Sequence, residues 1–224
     1  MFFYDIWYFI LVVPAIIFCM WAQFRVKSTF GKFSEQRTGM TGADAAREVL
    51  RHAGLTDVRI ERIAGELTDH FDPRENVIRL SESVHDARTV AAVGVAAHEA
   101  GHAIQYAENY SPMQVRAAII PVTSFGSKLV TPLVLIGIFM GLTGFIYLGI
   151  ILFASVVLFQ LVTLPVEFNA SSRAISIIDN AGILTGYESE GARKVLNAAA
   201  LTYVGALALS LMQLIHMITI AKRR

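Results

Sequence analysis

The chain has 224 residues, 54% of them hydrophobic and 17% charged, with a mean hydropathy of +0.53 and a formal net charge of +1. That balance is too apolar for an ordinary soluble domain and indicates a membrane-embedded protein; with no global field and no basic stripe interleaved with aromatics, nothing supports a nucleic-acid partner. The single cysteine, Cys19, allows no internal disulfide and reads as a small apolar residue in a membrane helix.

Ile6 to Ala22 are almost uniformly apolar apart from Pro14, and Arg25, Lys27 and Lys32 follow at once. A signal peptide carries its charges ahead of the apolar run and small residues behind it; here the charges come after, so residues 1–24 read as an uncleaved span whose C-terminal end faces the cytoplasm. From residue 25 to 116 the composition turns soluble. Thr41-Gly-Ala-Asp44 is a capping box by pattern and opens an amphipathic helix (Ala45, Ala46, Val49, Leu50) stopped by Gly54. Strand-like runs follow at Val58–Ile63, Leu67–Phe71 and Val77–Leu80, separated by Gly65-Glu66 and by Asp72-Pro73-Arg-Glu-Asn76. That turn chemistry predicts a small antiparallel sheet. Ser83 with Asp86 is expected to open the next helix, which runs to about Asn109 and ends before Pro112.

Residues 117–165 are too long for one span and suit a hairpin of two, with Gly141-Leu-Thr-Gly144 as the turn. Its first arm must begin near Ala117, because Lys128 would otherwise leave it short; the second arm, about Phe145 to Leu164, is expected to end at Pro165. A polar helix over 166–194 carries Glu167, Asn169, Ser171 and Arg173, and 195–224 form a fourth span and a basic tail. Four spans put the two polar segments on one side and both termini on the other. Arg25, Lys27, Lys32, Arg37, Arg173, Arg193 and Lys194 favour a cytoplasmic position for the polar segments, against Lys222, Arg223 and Arg224.

The chemistry is concentrated in Val95-Ala-Ala-His98-Glu99-Ala-Gly-His102-Ala-Ile-Gln105. On a helix, positions i and i+4 lie one above the other, so His98 and His102 present two imidazoles to a single metal, and zinc suits them. Glu99 would stand beside the metal, where a carboxylate can accept a proton from an attacking water. The pattern alone also occurs by chance on surface helices. Here, however, its flanks are small and apolar, and buried histidines beside a buried carboxylate are costly without a partner. Gly101 inside a helix costs about 1 kcal/mol against alanine, which is understandable if something approaches that face closely.

A catalytic zinc takes three protein ligands and keeps a position for water, so a third is needed. Glu167 is the first choice, since it follows the second hairpin arm next to Pro165 on what reads as a helix. His70 and His85 remain open. His52 and His216 read as a helix-face and a membrane-span histidine.

His98-Glu99-Ala-Gly-His102-Ala-Ile-Gln105 together with Leu164-Pro-Val-Glu167-Phe-Asn-Ala-Ser-Ser-Arg173-Ala resembles the YugP family of bacterial membrane zinc metallopeptidases. The similarity runs from Met20-Trp-Ala-Gln-Phe-Arg25 through Asp69-His-Phe-Asp-Pro73 and Val77-Ile-Arg-Leu-Ser81 to Lys194–Tyr203. It implies an α+β membrane protein with a zincin-like catalytic segment in 25–116 and about four transmembrane helices. It further implies a gluzincin-type peptidase of the bacterial cell membrane, with one zinc per chain completed by Glu167. More distantly the chain is similar to membrane-bound heat-shock and prenyl-protein zinc peptidases, in which an aspartate four residues after the ligand glutamate supports a ligand histidine. Ser171 holds that position here and Asn169 lies nearby, so either could give the support. The same similarity implies that Leu67–Phe71 pairs with an extended substrate as an added strand.

The expected reaction is peptide hydrolysis by activated water, with Glu99 as the base and a further donor to the oxyanion among Arg173, His70 and Tyr187. The lipid bilayer and a protein or peptide substrate are the expected partners, with room for an oligomer or a regulatory membrane partner. A site-2-type intramembrane protease would carry the motif inside a span; here it follows a polar, strand-rich segment. A membrane quality-control scaffold retaining a structural metal is the non-enzyme alternative, but it would favour four protein ligands and has no use for Glu99.

Overall fold

The structure is a computed structural model that describes residues 6–222; Arg223 and Arg224 of the basic tail lie outside the described residues. In chain order the elements are α1 (Ile6–Ser34), α2 (Gly42–His52), β1 (Arg59–Ile63), β2 (His70–Asp72), β3 (Val77–Ser81), α3 (Glu82–His85), α4 (Val90–Ala107), α5 (Ser111–Phe139), α6 (Thr143–Asn180) and α7 (Tyr187–Lys222). They form two compact units: one from Pro112–Pro165 with the described parts of Met1–Ala22 and Leu201–Arg224, the other from Gln23–Ser111 and Val166–Ala200.

The first unit consists of helix. α1, α5, α6 and α7 are each long and apolar enough to cross a membrane. The apolar runs of the sequence are parts of these longer helices: α5 already begins at Ser111, and α6 passes through Pro165 instead of ending there. A proline removes one donor and strains one turn, which a long helix with packed neighbours tolerates. Between α5 and α6 the helices approach through glycine. A Cβ on Gly149 would fall 2.6 Å from Val134 Cγ2, and one on Gly137 2.6 Å from Ile146 Cγ1. Gly205 of α7 likewise stands where a Cβ would meet Cys19 Sγ at 3.2 Å. Small residues let such helices gain van der Waals contact where no hydrophobic force drives them together.

The second unit has an ordinary buried core. α2 starts at the capping box read from the sequence, with Thr41 Oγ1 accepting from the Asp44 N–H and Asp44 accepting from the Thr41 N–H. Its Ala45, Ala46, Val49 and Leu50 are buried in the same cluster as Ile78, Leu80 and the alanines of α4.

The sheet corrects the expectation of an antiparallel arrangement. Its order is β1-β3-β2: β2 pairs antiparallel with β3, but β1 pairs parallel with it, Arg59 opposite Val77 and Ile63 opposite Ser81. β3, Val-Ile-Arg-Leu-Ser, is the one strand buried along nearly its whole length, so it takes the centre and the half-exposed strands take the edges. Gly65 (φ +109°) and Leu67 (φ +54°) turn the chain after β1 and carry it past the central position. Leu67 therefore sits in a turn, and the strand expected over Leu67–Phe71 is regular only over His70–Asp72.

The helix that carries the motif also starts later than Ser83. α3 is a single turn, and α4 opens after it at Thr89, whose Oγ1 accepts from the Ala92 N–H. Thr89 is held in extended conformation by a bridge to Arg37, and Gln36 accepts from the Val90 N–H. Asp86, the residue expected to help open the helix, bonds His85 instead.

Candidate metal centre

α4 is lined with alanine, and Ala91, Ala92, Ala96, Ala97 and Ala100 have no or almost no exposed surface. Small side chains let neighbouring elements come close, and the closest approach is at the motif itself. A Cβ on Gly101 would lie 2.5 Å from the carbonyl oxygen of Ala170 on α6. The glycine of the motif is what allows the backbone of α6 to lie against α4. That contact brings Glu167, one turn earlier on α6, to the face bearing His98 and His102.

The imidazoles of His98 and His102 stand one above the other with ring centroids 4.6 Å apart and planes at 79°. Glu167 is 2% exposed, and its Oε2 lies 3.3 Å from His98 Nε2 and 3.5 Å from His102 Nε2. Donor atoms of these three residues all lie within 4.8 Å of one another. Tetrahedral zinc with bonds of about 2.0–2.1 Å separates its ligands by roughly 3.3 Å, so the spacing and the nitrogen–oxygen donor set both fit that ion.

The outward ring nitrogens are engaged. His98 Nδ1 meets Ser171 Oγ at 3.0 Å, and His102 Nδ1 meets Gln105 Oε1 at 3.0 Å. Histidines that bind metals almost always bond through the second nitrogen in this way, which fixes ring orientation. Burial works against a positive charge on His102, but its hydrogen bond to Glu167 and the charges of Glu99 and Glu167 outweigh that and raise its pKa above the ordinary imidazole value. A buried site that favours a proton also favours a metal cation. Glu99, 8% exposed, adds its negative charge to the same place.

Two comparisons with known proteins point to a family of zinc peptidases. A family described as "Putative neutral zinc metallopeptidase" matches residues 8–222. The chain belongs to this family. It is also 49% identical over 212 residues to the "Putative membrane protease YugP" of Bacillus subtilis (strain 168), covering 94% of each chain. No solved structure matches it.

For a member of this family, the surroundings of the three donors carry as much interest as the donors. Asn169 Oδ1 accepts from Gln105 Nε2 at 3.0 Å and from Arg173 Nε at 2.7 Å. Arg173 also pairs with Glu108 at 2.6 Å and lies over the ring of Tyr110, 5.8 Å from its centroid. His70 is exposed on β2 with Nδ1 against the Thr68 carbonyl at 2.8 Å, and Tyr187 is exposed at the start of α7, accepting from Gln36. His85 pairs with Asp86, His52 lies against the Glu48 carbonyl, and His216 is edge-on to the Tyr8 ring. Sequence reading gave Gln105 and Glu108 no role. Gln105 lies three residues after His102, a spacing that places two side chains on one helix face, and that was its available signal.

Proposed function

We propose that this chain is a multi-pass membrane zinc endopeptidase of the gluzincin type, hydrolysing peptide bonds of membrane or membrane-proximal proteins, with its catalytic residues on the cytoplasmic side. The observation that carries the reading is the convergence of His98 Nε2, His102 Nε2 and Glu167 Oε2, with both outward imidazole nitrogens already bonded. Zinc bound there would act as a Lewis acid, lowering the pKa of a water and polarising the scissile carbonyl.

The chain's own residues do the rest. His98, His102 and Glu167 hold the ion, and Glu99 accepts a proton from the attacking water as the new C–O bond forms. Glu99 then delivers that proton to the nitrogen as the C–N bond breaks, so the amine leaves neutral. Substrate binds as an added strand on the free edge of β2, in keeping with the place of that strand at the margin of the sheet and with Phe71 standing 5.9 Å from Tyr106 of α4. The sheet edge supplies backbone hydrogen bonds and little side-chain preference.

The test is zinc per chain in detergent-purified protein, together with peptide hydrolysis. Near-stoichiometric zinc that falls sharply in Glu167→Ala is the expected result. Glu99→Gln should keep the metal and lose turnover by at least a hundredfold. Zinc unchanged in Glu167→Ala would move the third ligand elsewhere, and a wild type that takes up no added zinc would sink the reading.

A further inference from the structure

The hydrogen bonds behind His102 have a fixed sense. Arginine has donors only, so Arg173 Nε, 2.7 Å from Asn169, must meet the amide oxygen of that side chain. Gln105, fully buried, then faces two acceptors, the same Asn169 Oδ1 at 3.0 Å and the Val166 carbonyl at 2.8 Å. Its amide nitrogen must point to them, since the opposite orientation would set oxygen against oxygen twice. Its Oε1 is left to face His102 Nδ1 at 3.0 Å, and an oxygen there demands a protonated Nδ1. A neutral imidazole protonated at Nδ1 has its lone pair on Nε2, the atom that points toward Glu167.

We propose that Gln105 is a positioning residue for His102: the Val166 carbonyl, together with Asn169 as turned by Arg173, fixes the sense of a hydrogen-bond relay that leaves His102 Nε2 as the nitrogen to take the metal. The inference rests on reading His102 as a zinc ligand. Glu108 and Tyr110 anchor the far end by holding the guanidinium, so the relay ties the last turn of α4 to the turn of α6 that carries Glu167. His98 has no such relay among the described hydrogen bonds: Ser171 is a hydroxyl that can donate or accept, and it imposes no tautomer.

The experiment uses the full chain in detergent, labelled with ¹⁵N-histidine, as wild type, Gln105→Leu, Arg173→Ala and the double variant. In the zinc-loaded wild type the His102 Nδ1–H, assigned by its loss in His102→Gln, should exchange slowly with water, and in Gln105→Leu it should exchange faster; Arg173→Ala, which leaves the Val166 carbonyl in place, should change it little. Zinc affinity, measured by competition with a chromophoric chelator, should weaken about 10–100-fold in Gln105→Leu. Arg173→Ala should weaken it less, since the Val166 carbonyl still orients Gln105, and should add nothing further in the Gln105→Leu background, because a relay already cut cannot be cut again. A rapidly exchanging Nδ1–H in the wild type, an unchanged affinity in Gln105→Leu, or additive losses in the double variant would overturn the relay. If Gln105→Leu does not fold, Gln105→Met, closer to glutamine in shape and equally without an amide oxygen, carries both readouts. A wild type that binds no zinc would defeat the zinc reading, while the Nδ1–H exchange, read in the metal-free protein, would still decide the relay.

Discussion

The two units bury opposite things. In the helical unit, large apolar side chains point outward: Phe139 is 82% exposed, Ile151 68% and Phe125 68%, while glycines bring the helices together, Gly149 against Val134, Gly137 against Ile146 and Gly205 against Cys19. In the other unit the apolar residues are inside, and the interior also admits Glu99, His102, Gln105 and Glu167. An outward apolar face is unfavourable in water and at home in hydrocarbon, whereas an interior carboxylate is tolerated only where donors or a cation meet it. Glycine serves both units as the residue of close approach, admitting a neighbour's side chain at Gly149 and Gly191 and a neighbour's backbone at Gly101.

That difference can be broken most severely at Gly101. A side chain at this position has no rotamer that avoids the Ala170 carbonyl, because its Cβ alone would stand 2.5 Å from backbone oxygen. Gly101→Val should therefore force α6 away from α4, withdraw Glu167 from the two imidazoles, and abolish stoichiometric zinc, as read by metal analysis of the folded fraction. Full zinc content in that variant would show that α6 can shift without moving Glu167. A smaller effect is expected from Ile151→Arg, on the exposed surface of α6. If that surface faces lipid, a charge mid-span costs about 2.5–3.5 kcal/mol of insertion. Membrane-integrated yield, assayed by carbonate extraction, should drop, and an undiminished yield would mean that the surface is covered by something other than lipid.

What could be read from the sequence, and what could not, follows the same division between local and distant causes. The capping box at Thr41–Asp44, the apolar runs and the His-Glu-x-x-His face depend on residues within one or two turns, and they appear in the structure at those positions. The glycine inside the motif signalled a close approach, and Ala170 makes it. The parallel pairing of β1 with β3 depends on how much of each strand the rest of the chain covers, which no run of five residues states. Of the supports of the imidazoles, Ser171, 73 residues from His98, was reached only through the resemblance, and Gln105 was hidden because its partners lie 61 and 64 residues away.

The smallest expected effect sharpens the comparison from the water-exposed side of the second unit. Asp44 in the first turn of α2 has its pKa held below the ordinary carboxylate value, chiefly by the hydrogen bond to Thr41, with Arg47 adding to it. A group with a lowered pKa stabilises the fold fully above its unfolded-state value of about 3.9, and the contribution is lost as pH falls through the lower folded value. Asp44→Asn, which keeps the shape and removes the charge, should cost only about 0.3–0.5 kcal/mol at pH 7, because the pair with Arg47 is exposed and screened. The gap in thermal stability between wild type and variant should then close as the buffer is taken below the unfolded-state value and on through the lower folded one. A gap that persists in acid would mean that Asp44 acts through hydrogen-bond geometry alone, and that charge contributes to this unit only at its buried centre.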